Sequence, residues 1–290
     1  MAWLQLARIA LLPTILWDFH AGLLLADLSW DGHAVLALLS LLAIYHGGMM
    51  LNDLRDVVVD REAGRRRPLV DGRISPVAAG IAVLVAFASA LVLASFTGPW
   101  LPTLAAWLLG IVVLYDLCGA ELRKHLGPAL LAAARAFSIC FAALAVFGFE
   151  EARIAIGTGP IAGYALYFLF LSRLAQNEEA GIHGLNGLSF LLMGAVAPAI
   201  LFYDGQPAWW FLPAWIAFAF HLLRPAIAKR HDYWDPDVVQ SMVRHGLGSA
   251  PLVPGLCLLA DGDGVLAMQA LLAIPVCFAV RLLARRWAPE

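Results

Sequence analysis

Charge is scarce in this chain. Only 14% of its residues are charged, against 62% hydrophobic. A soluble domain of this size needs far more polar surface, so that class is excluded. No polar stretch is long enough to form a soluble domain by itself. Paired cysteine is missing too. Cys118, Cys140, Cys257 and Cys277 lie far apart with no Cys-x-x-Cys pair, which argues against a zinc or disulfide framework. Three of them sit in apolar runs, the ordinary setting of a free thiol. No basic face exists outside short loops, so no nucleic acid is expected as a partner. A cleavable signal peptide is not evident. Arg8, Asp18 and His20 interrupt the first 26 residues, which read instead as a first membrane helix.

What the chain does have is apolar length. Mean hydropathy is +0.80 over the 290 residues. A membrane span needs about 20 apolar residues. The candidates are 8–27, 33–51, 77–97, 100–118, 128–149, 154–173, 188–204, 208–224, 246–260 and 264–284. The ninth is short and broken by Pro251 and Pro254. The expected fold is therefore all-α: a polytopic membrane bundle of nine or ten helices, forming a single domain over 1–290. Lys and Arg concentrate in the loops after spans two, four and eight and in the tail. The opposite connections carry almost none; only Arg153 breaks the pattern. By the positive-inside rule the even-numbered loops are cytoplasmic, and the basic tail on that side favours ten helices. The membrane expected is a bacterial-type inner (plasma) membrane.

Ionisable residues inside spans mark function or an internal pair. Asp18 belongs to the first span and is expected to face the bundle. Arg135, in Ala-Ala-Ala-Arg-Ala-Phe-Ser, calls for an anion. Its partner is either a carboxylate from span one or two, or an oxygen of an anionic substrate. Trp100, Trp209 and Trp210 fall at span ends, where an interfacial belt expects them.

Most of the acidic and basic chemistry lies in 46–76. Asn52, Asp53, Asp56 and Asp60 sit at offsets 0, 1, 4 and 8. On a helix they fall within an arc of about 100°. Carboxylates that close repel one another unless a cation joins them. Their oxygens are hard ligands suited to Mg²⁺, which takes one or two carboxylates and bridges to phosphates. Neither Cys nor His is interleaved, as a softer metal would require. Arg61, Arg65, Arg66, Arg67 and Arg73 follow, and arginine suits bidentate phosphate contacts. The stretch thus holds parts for both ends of a diphosphate site. The plainer alternative is a charged cytoplasmic loop.

Asn52-x-x-x-Asp56-x-x-x-Asp60, followed by Arg61, Pro68, Gly72 and Ile74-Ser75, resembles the first aspartate-rich motif of the UbiA superfamily of intramembrane prenyltransferases. Tyr115, Asp116, Lys124, Leu126-Gly127-Pro128 and Arg135 resemble a second family segment. The resemblance implies a helical membrane bundle around a central cavity. It implies Mg²⁺-dependent transfer of a prenyl group from an isoprenoid diphosphate to a small-molecule acceptor, aromatic or otherwise lipophilic or cyclic, among membrane lipid. It assigns Asn52, Asp56 and Asp60 to a first Mg²⁺, with Asp53 beside them. Arg61, Arg65, Arg135, Lys124 and Tyr115 become substrate-binding candidates. The family's second motif, Asp-x-x-x-Asp after the sixth span, is altered. Anchored on Gly181, its positions are Ala175 and Glu179. Glu178 and Glu179 are the candidates for a second metal, or else belong to a solvated loop. The base that takes the acceptor's proton is Asp53, Asp116 or His183. Two alternatives stay open: a catalytically silent family member, and a membrane transporter or lipid-binding protein that uses the acidic loop for recognition.

Overall fold

The computed structural model describes residues 1–62 and 64–287. It is all-helical apart from one two-residue strand pair. A short helix α1 (Ala2–Leu6) leads through a 3-10 turn at Ile9–Leu11 into α2 (Leu12–Leu25). Next come α3 (Gly32–Arg55), α4 (Val57–Glu62), α5 (Pro76–Ser95) and α6 (Leu101–Leu117). The central helix α7 (Ala120–Phe147) is followed by α8 (Phe149–Ile156), α9 (Thr158–Ala175) and α10 (Gly184–Val196). The chain closes with α11 (Phe211–Ala228), α12 (Pro236–Ser249), α13 (Leu252–Asp261), α14 (Gly264–Ala270) and α15 (Ala273–Trp287). The starts follow local chemistry. Asp31, Ser75 and Asp235 each accept a backbone N–H of the first turn with the side chain. Pro76 and Pro236 follow two of these caps at positions where no N–H is needed.

Among the described residues six helices are long and apolar enough to cross a membrane, or seven if the α8–α9 pair, bent by 87°, counts as one span. This measure does not confirm the expected nine or ten, for local reasons. Ile9–Leu25 and Leu101–Leu117 are apolar but short. The ninth expected span, 246–260, straddles the break between α12 and α13 at Ala250–Pro251. The α8–α9 bend falls at Gly157, whose φ of +89° suits glycine.

Two cores share α7. One joins Ile15 and Phe19 of α2 with α3, α5, α6 and Phe141. The other joins Ile139 with Tyr164, Tyr167, Trp234 and the later helices. Gly22 lets α2 meet α7 backbone to backbone. A Cβ there would lie 1.7 Å from the Ile139 carbonyl oxygen. That close crossing sets Asp18, one turn earlier on α2, against α7.

The loops named from the sequence as one face do converge. Arg65 reaches Glu179 at 2.9 Å, and Gln176 Nε2 donates to the Lys124 carbonyl at 2.7 Å. Strand β1 (Ile182–His183) pairs antiparallel with β2 (Tyr233–Trp234), Ile182 opposite Trp234. Trp234 is fully buried, and Gly187 of α10 packs against its ring. So the connections after α4, α6, α9 and α11 form one polar cap.

Candidate active site

The acidic stripe does not run down one unbroken helix. α3 ends at Arg55, Asp56 stands at the turn, and α4 resumes at Val57. The four residues resolve into two rows. Asp53 and Asp60 are seven apart, about 20° from alignment on a helix, and both point into the protein. Asn52 and Asp56, four apart, face the α6–α7 connection.

In the first row the neutralising cations are guanidinium groups. Arg67 Nη1 donates to Asp53 Oδ1 at 3.1 Å and lies 2.6 Å from Asp60 Oδ2. Arg8 donates to Asp53 Oδ1 at 2.6 Å and Arg65 to Asp60 Oδ1 at 2.9 Å. Both carboxylates are buried. Each still has an oxygen, Oδ2, with no hydrogen-bond donor; the Arg67–Asp60 contact is an ion pair without hydrogen-bond alignment. In the second row Asn52 Nδ2 donates to Asp116 Oδ1 at 3.0 Å. Asp56 Oδ1 receives Arg55 at 3.2 Å and Arg123 at 3.3 Å. Burial pushes the Asp56 carboxyl above its ordinary value, opposed by Arg55.

A cavity of about 220 Å³ starts at this network and runs between the two cores. Arg8, Asn52, Tyr115 and Asp116 form its polar end. Leu41, Ile44, Leu108, Val112 and Leu131 form apolar walls, with the rings of Tyr45 and Phe168 among them. Arg135 and Ser138 lie in its α7 wall. Arg135 has the carboxylate of the two partners expected for it. Its Nη2 is 3.1 Å from Asp18 Oδ2 and donates to Tyr164 at 2.9 Å. Tyr164 and Ser138 also donate to Asp18, at 2.6 and 2.8 Å. The guanidinium carbon stands 4.4 Å over the Phe168 ring.

The remaining expected residues divide. Tyr115 lines the cavity under the Arg123 guanidinium, at 4.9 Å. Glu179 joins the network through Arg65 but is exposed. Glu178 is half-buried, and burial raises its carboxyl against the pull of Arg65. Asn177 turns its amide back to the Arg173 and Leu174 carbonyls. Arg61 and Lys124 are exposed. His183 is also exposed and caps α10 through Nδ1. Sequence reasoning passed over Arg8 as a site residue. It adopts the left-handed conformation (φ 48°) that a non-glycine residue seldom takes. Its only signal was a lone arginine at the start of an apolar run, 45 residues from its partner Asp53.

Among the described residues no group of three His, Cys, Asp or Glu side chains stands ready to hold a metal. The donor types nonetheless suit a hard divalent cation. Buried Asp53 Oδ2 and Asp60 Oδ2 are orphaned acceptors, which an ion would satisfy.

The UbiA prenyltransferase family model matches residues 11–186, more than half of the chain. The chain belongs to that family. Its UbiA-like fold is seen also in solved structures. An apo UbiA homologue from Aeropyrum pernix K1 is 16% identical with a TM-score of 0.65, covering 88% of this chain and 98% of that one. A digeranylgeranylglyceryl phosphate synthase is 15% identical with a TM-score of 0.60, covering 89% and 97%. A UbiA homologue from Archaeoglobus fulgidus, bound to DMAPP and Mg²⁺, is 17% identical with a TM-score of 0.50, covering 97% and 99%. No curated protein matches the chain. UbiA membership and the apolar helices make it an integral membrane protein.

Proposed function

We propose that this UbiA protein transfers a prenyl group from an isoprenoid diphosphate to a small lipophilic or cyclic acceptor, with Mg²⁺. The observation that carries this reading is the shape and polarity of one cavity. An apolar chamber ends at Arg8, Asn52, Tyr115 and Asp116, against a layer of carboxylates and arginines. A ligand with an anionic head and a greasy tail fits that arrangement.

Asn52, Asp56 and Asp60 would hold the cation, with Glu178 and Glu179 as further candidates on the loop that Arg65 reaches. A bound Mg²⁺ supplies positive charge to the leaving diphosphate. Arg8, Arg65 and Arg67 take the phosphate oxygens once these draw them off the carboxylates, since guanidinium groups bind either anion in the same bidentate way. The allylic C–O bond breaks and its electron pair leaves with the diphosphate. The apolar walls, with the rings of Tyr45, Tyr115 and Phe168 among the lining, keep water from the carbocation. The acceptor forms the new bond to carbon and gives up a proton. Of the three bases expected from sequence, Asp116 lines the cavity. Asp53 is tied to Arg8 and Arg67, and His183 caps a helix. We assign the proton to Asp116, held by Asn52.

The test is purified protein with radiolabelled prenyl diphosphates of several chain lengths and a panel of phenolic and hydroxylated acceptors. Labelled product and free diphosphate are expected. No diphosphate release from any donor would favour a silent member or a transporter instead. Asp116→Asn is expected to lower coupled product by about 100-fold while KM for the prenyl diphosphate changes little. A flat pH profile shared with wild type would remove the base assignment.

A further inference from the structure

Arg281 of α15 differs from Arg135 and from the arginines of the acidic site. Arg135 has Asp18, and Arg8, Arg65 and Arg67 have Asp53 or Asp60. Half-buried Arg281 has no carboxylate within ion-pair distance among the described residues. Its Nη2 lies 3.1 Å from His221 Nε2 on α11. Around that contact the groups are neutral and polar. Ser249 Oγ is 3.2 Å from the same His221 nitrogen and donates to the His245 carbonyl at 2.8 Å. The His245 ring lies 4.8 Å from that of His221, and its Nε2 is 3.0 Å from the His221 carbonyl. Gly248 leaves room for the arginine stem; a Cβ there would come within 3.2 Å of Arg281 Nε.

A half-buried cation on a helix apolar enough to span a membrane, facing only neutral groups, is costly, and such residues by default mark a site. α11 and α15 both pack on α12, so the cluster bridges the two over a floor of Gly248 and Ser249. More positive charge lies toward the same membrane face. Exposed Arg285 is one turn beyond Arg281, and exposed Arg224 one turn beyond His221. Below them Phe220 and Ile216 on α11, and Phe278 and Leu282 on α15, are exposed as a lipid-facing surface. Basic pockets between membrane helices at this level suit phosphate head groups.

We propose that Arg281, with His221, His245 and Ser249, forms a second phosphate-binding site, separate from the acidic site, that takes the head group of an anionic membrane lipid. Arg281 supplies the charge. His221 receives the guanidinium at its Nε2, with Ser249 and His245 holding that ring in place, and the exposed flanks of α11 and α15 receive the acyl chains. The apolar flanks favour a lipid over free phosphate.

The test uses the full chain in a neutral detergent, with native mass spectrometry and thermal unfolding. Additions are phosphatidylglycerol, phosphatidylcholine or inorganic phosphate. Wild type is expected to retain phosphatidylglycerol and to unfold at higher temperature with it, and to do neither with phosphatidylcholine. Arg281→Gln is expected to weaken that binding about tenfold or more, the scale of a charge-assisted contact. Arg153→Gln, exposed on α8 away from α11 and α15, serves as the charge-matched control and is expected to stay within about threefold. Stabilisation by inorganic phosphate equal to that by the lipid would keep the phosphate site and overturn the lipid assignment. Undiminished phosphatidylglycerol retention in Arg281→Gln, or equal retention of the two lipids by wild type, overturns the proposal. Should Arg281→Gln not fold, His221→Gln keeps the charge; retention unchanged from wild type there overturns it as well.

Discussion

Asp56→Asn is expected to lower prenyl transfer by about 100- to 1000-fold, the loss typical of removing one transition-state charge contact, while the protein unfolds at nearly the wild-type temperature. The two halves of this expectation have separate causes. Asp56 keeps 22% of its side chain exposed and is held only by long contacts to Arg55 and Arg123. An amide can stay in place there without leaving a deeply buried cation unpaired. Asp60 is the opposite case. It is fully buried and holds Arg65 and Arg67 at 2.9 and 2.6 Å. Removing a buried partner strands its cations and costs about 3–5 kcal/mol. An activity loss in Asp60→Ala would therefore be mixed with loss of fold, whereas Asp56→Asn isolates the chemistry. Thermal unfolding in detergent, run beside a radiolabelled transfer assay, separates them. Full activity in Asp56→Asn would remove this residue from the site.

Asp18→Leu is expected to destabilise the protein by about 3–5 kcal/mol, because Arg135 is left charged and buried without its anion. The double variant Asp18→Leu with Arg135→Leu is expected to recover most of that loss, since apolar replacement of a whole buried pair is often neutral. The pair is close to ideal for such a cycle. Asp18 is fully buried and also receives Tyr164 and Ser138, so the network rests on one carboxylate. Equilibrium unfolding of the four proteins gives the coupling energy. Equal stability of the single and double variants would show that Arg135 finds its anion elsewhere, and would return it to substrate binding.

The fold was largely legible because membrane spans announce themselves by length. The apolar runs at 33–51 and 77–97 lie inside observed helices to within a few residues. The two counts diverge where a run is interrupted, at Ala250–Pro251, or where the helix is short, as in Leu101–Leu117. Hydropathy cannot say whether a 17-residue apolar helix crosses a bilayer. The convergence of the even-numbered loops was readable from charge, since arginines avoid one set of connections.

The acidic site was legible as composition but not as pairing. Asp53, Asp56 and Asp60 lie close together in sequence, yet periodicity alone did not break the helix at Asp56. Nor could it show that arginines, from both sides in sequence, fill the space between carboxylates. Arg8 reaches Asp53 only through the tertiary fold, from a left-handed backbone. The choice between two anions for Arg135 needed the α2–α7 crossing at Gly22, which places Asp18 within reach.

The central claim is that one divalent cation and a prenyl diphosphate meet at the carboxylate–arginine layer. It is tested most directly with Mn²⁺ in place of Mg²⁺, by electron–nuclear double resonance on purified protein with dimethylallyl diphosphate. The expected result is a ³¹P coupling to protein-bound Mn²⁺ in wild type that is lost in Asp56→Asn. Bound diphosphate with no ³¹P–Mn²⁺ coupling, or a coupling that survives unchanged in Asp56→Asn, would contradict it.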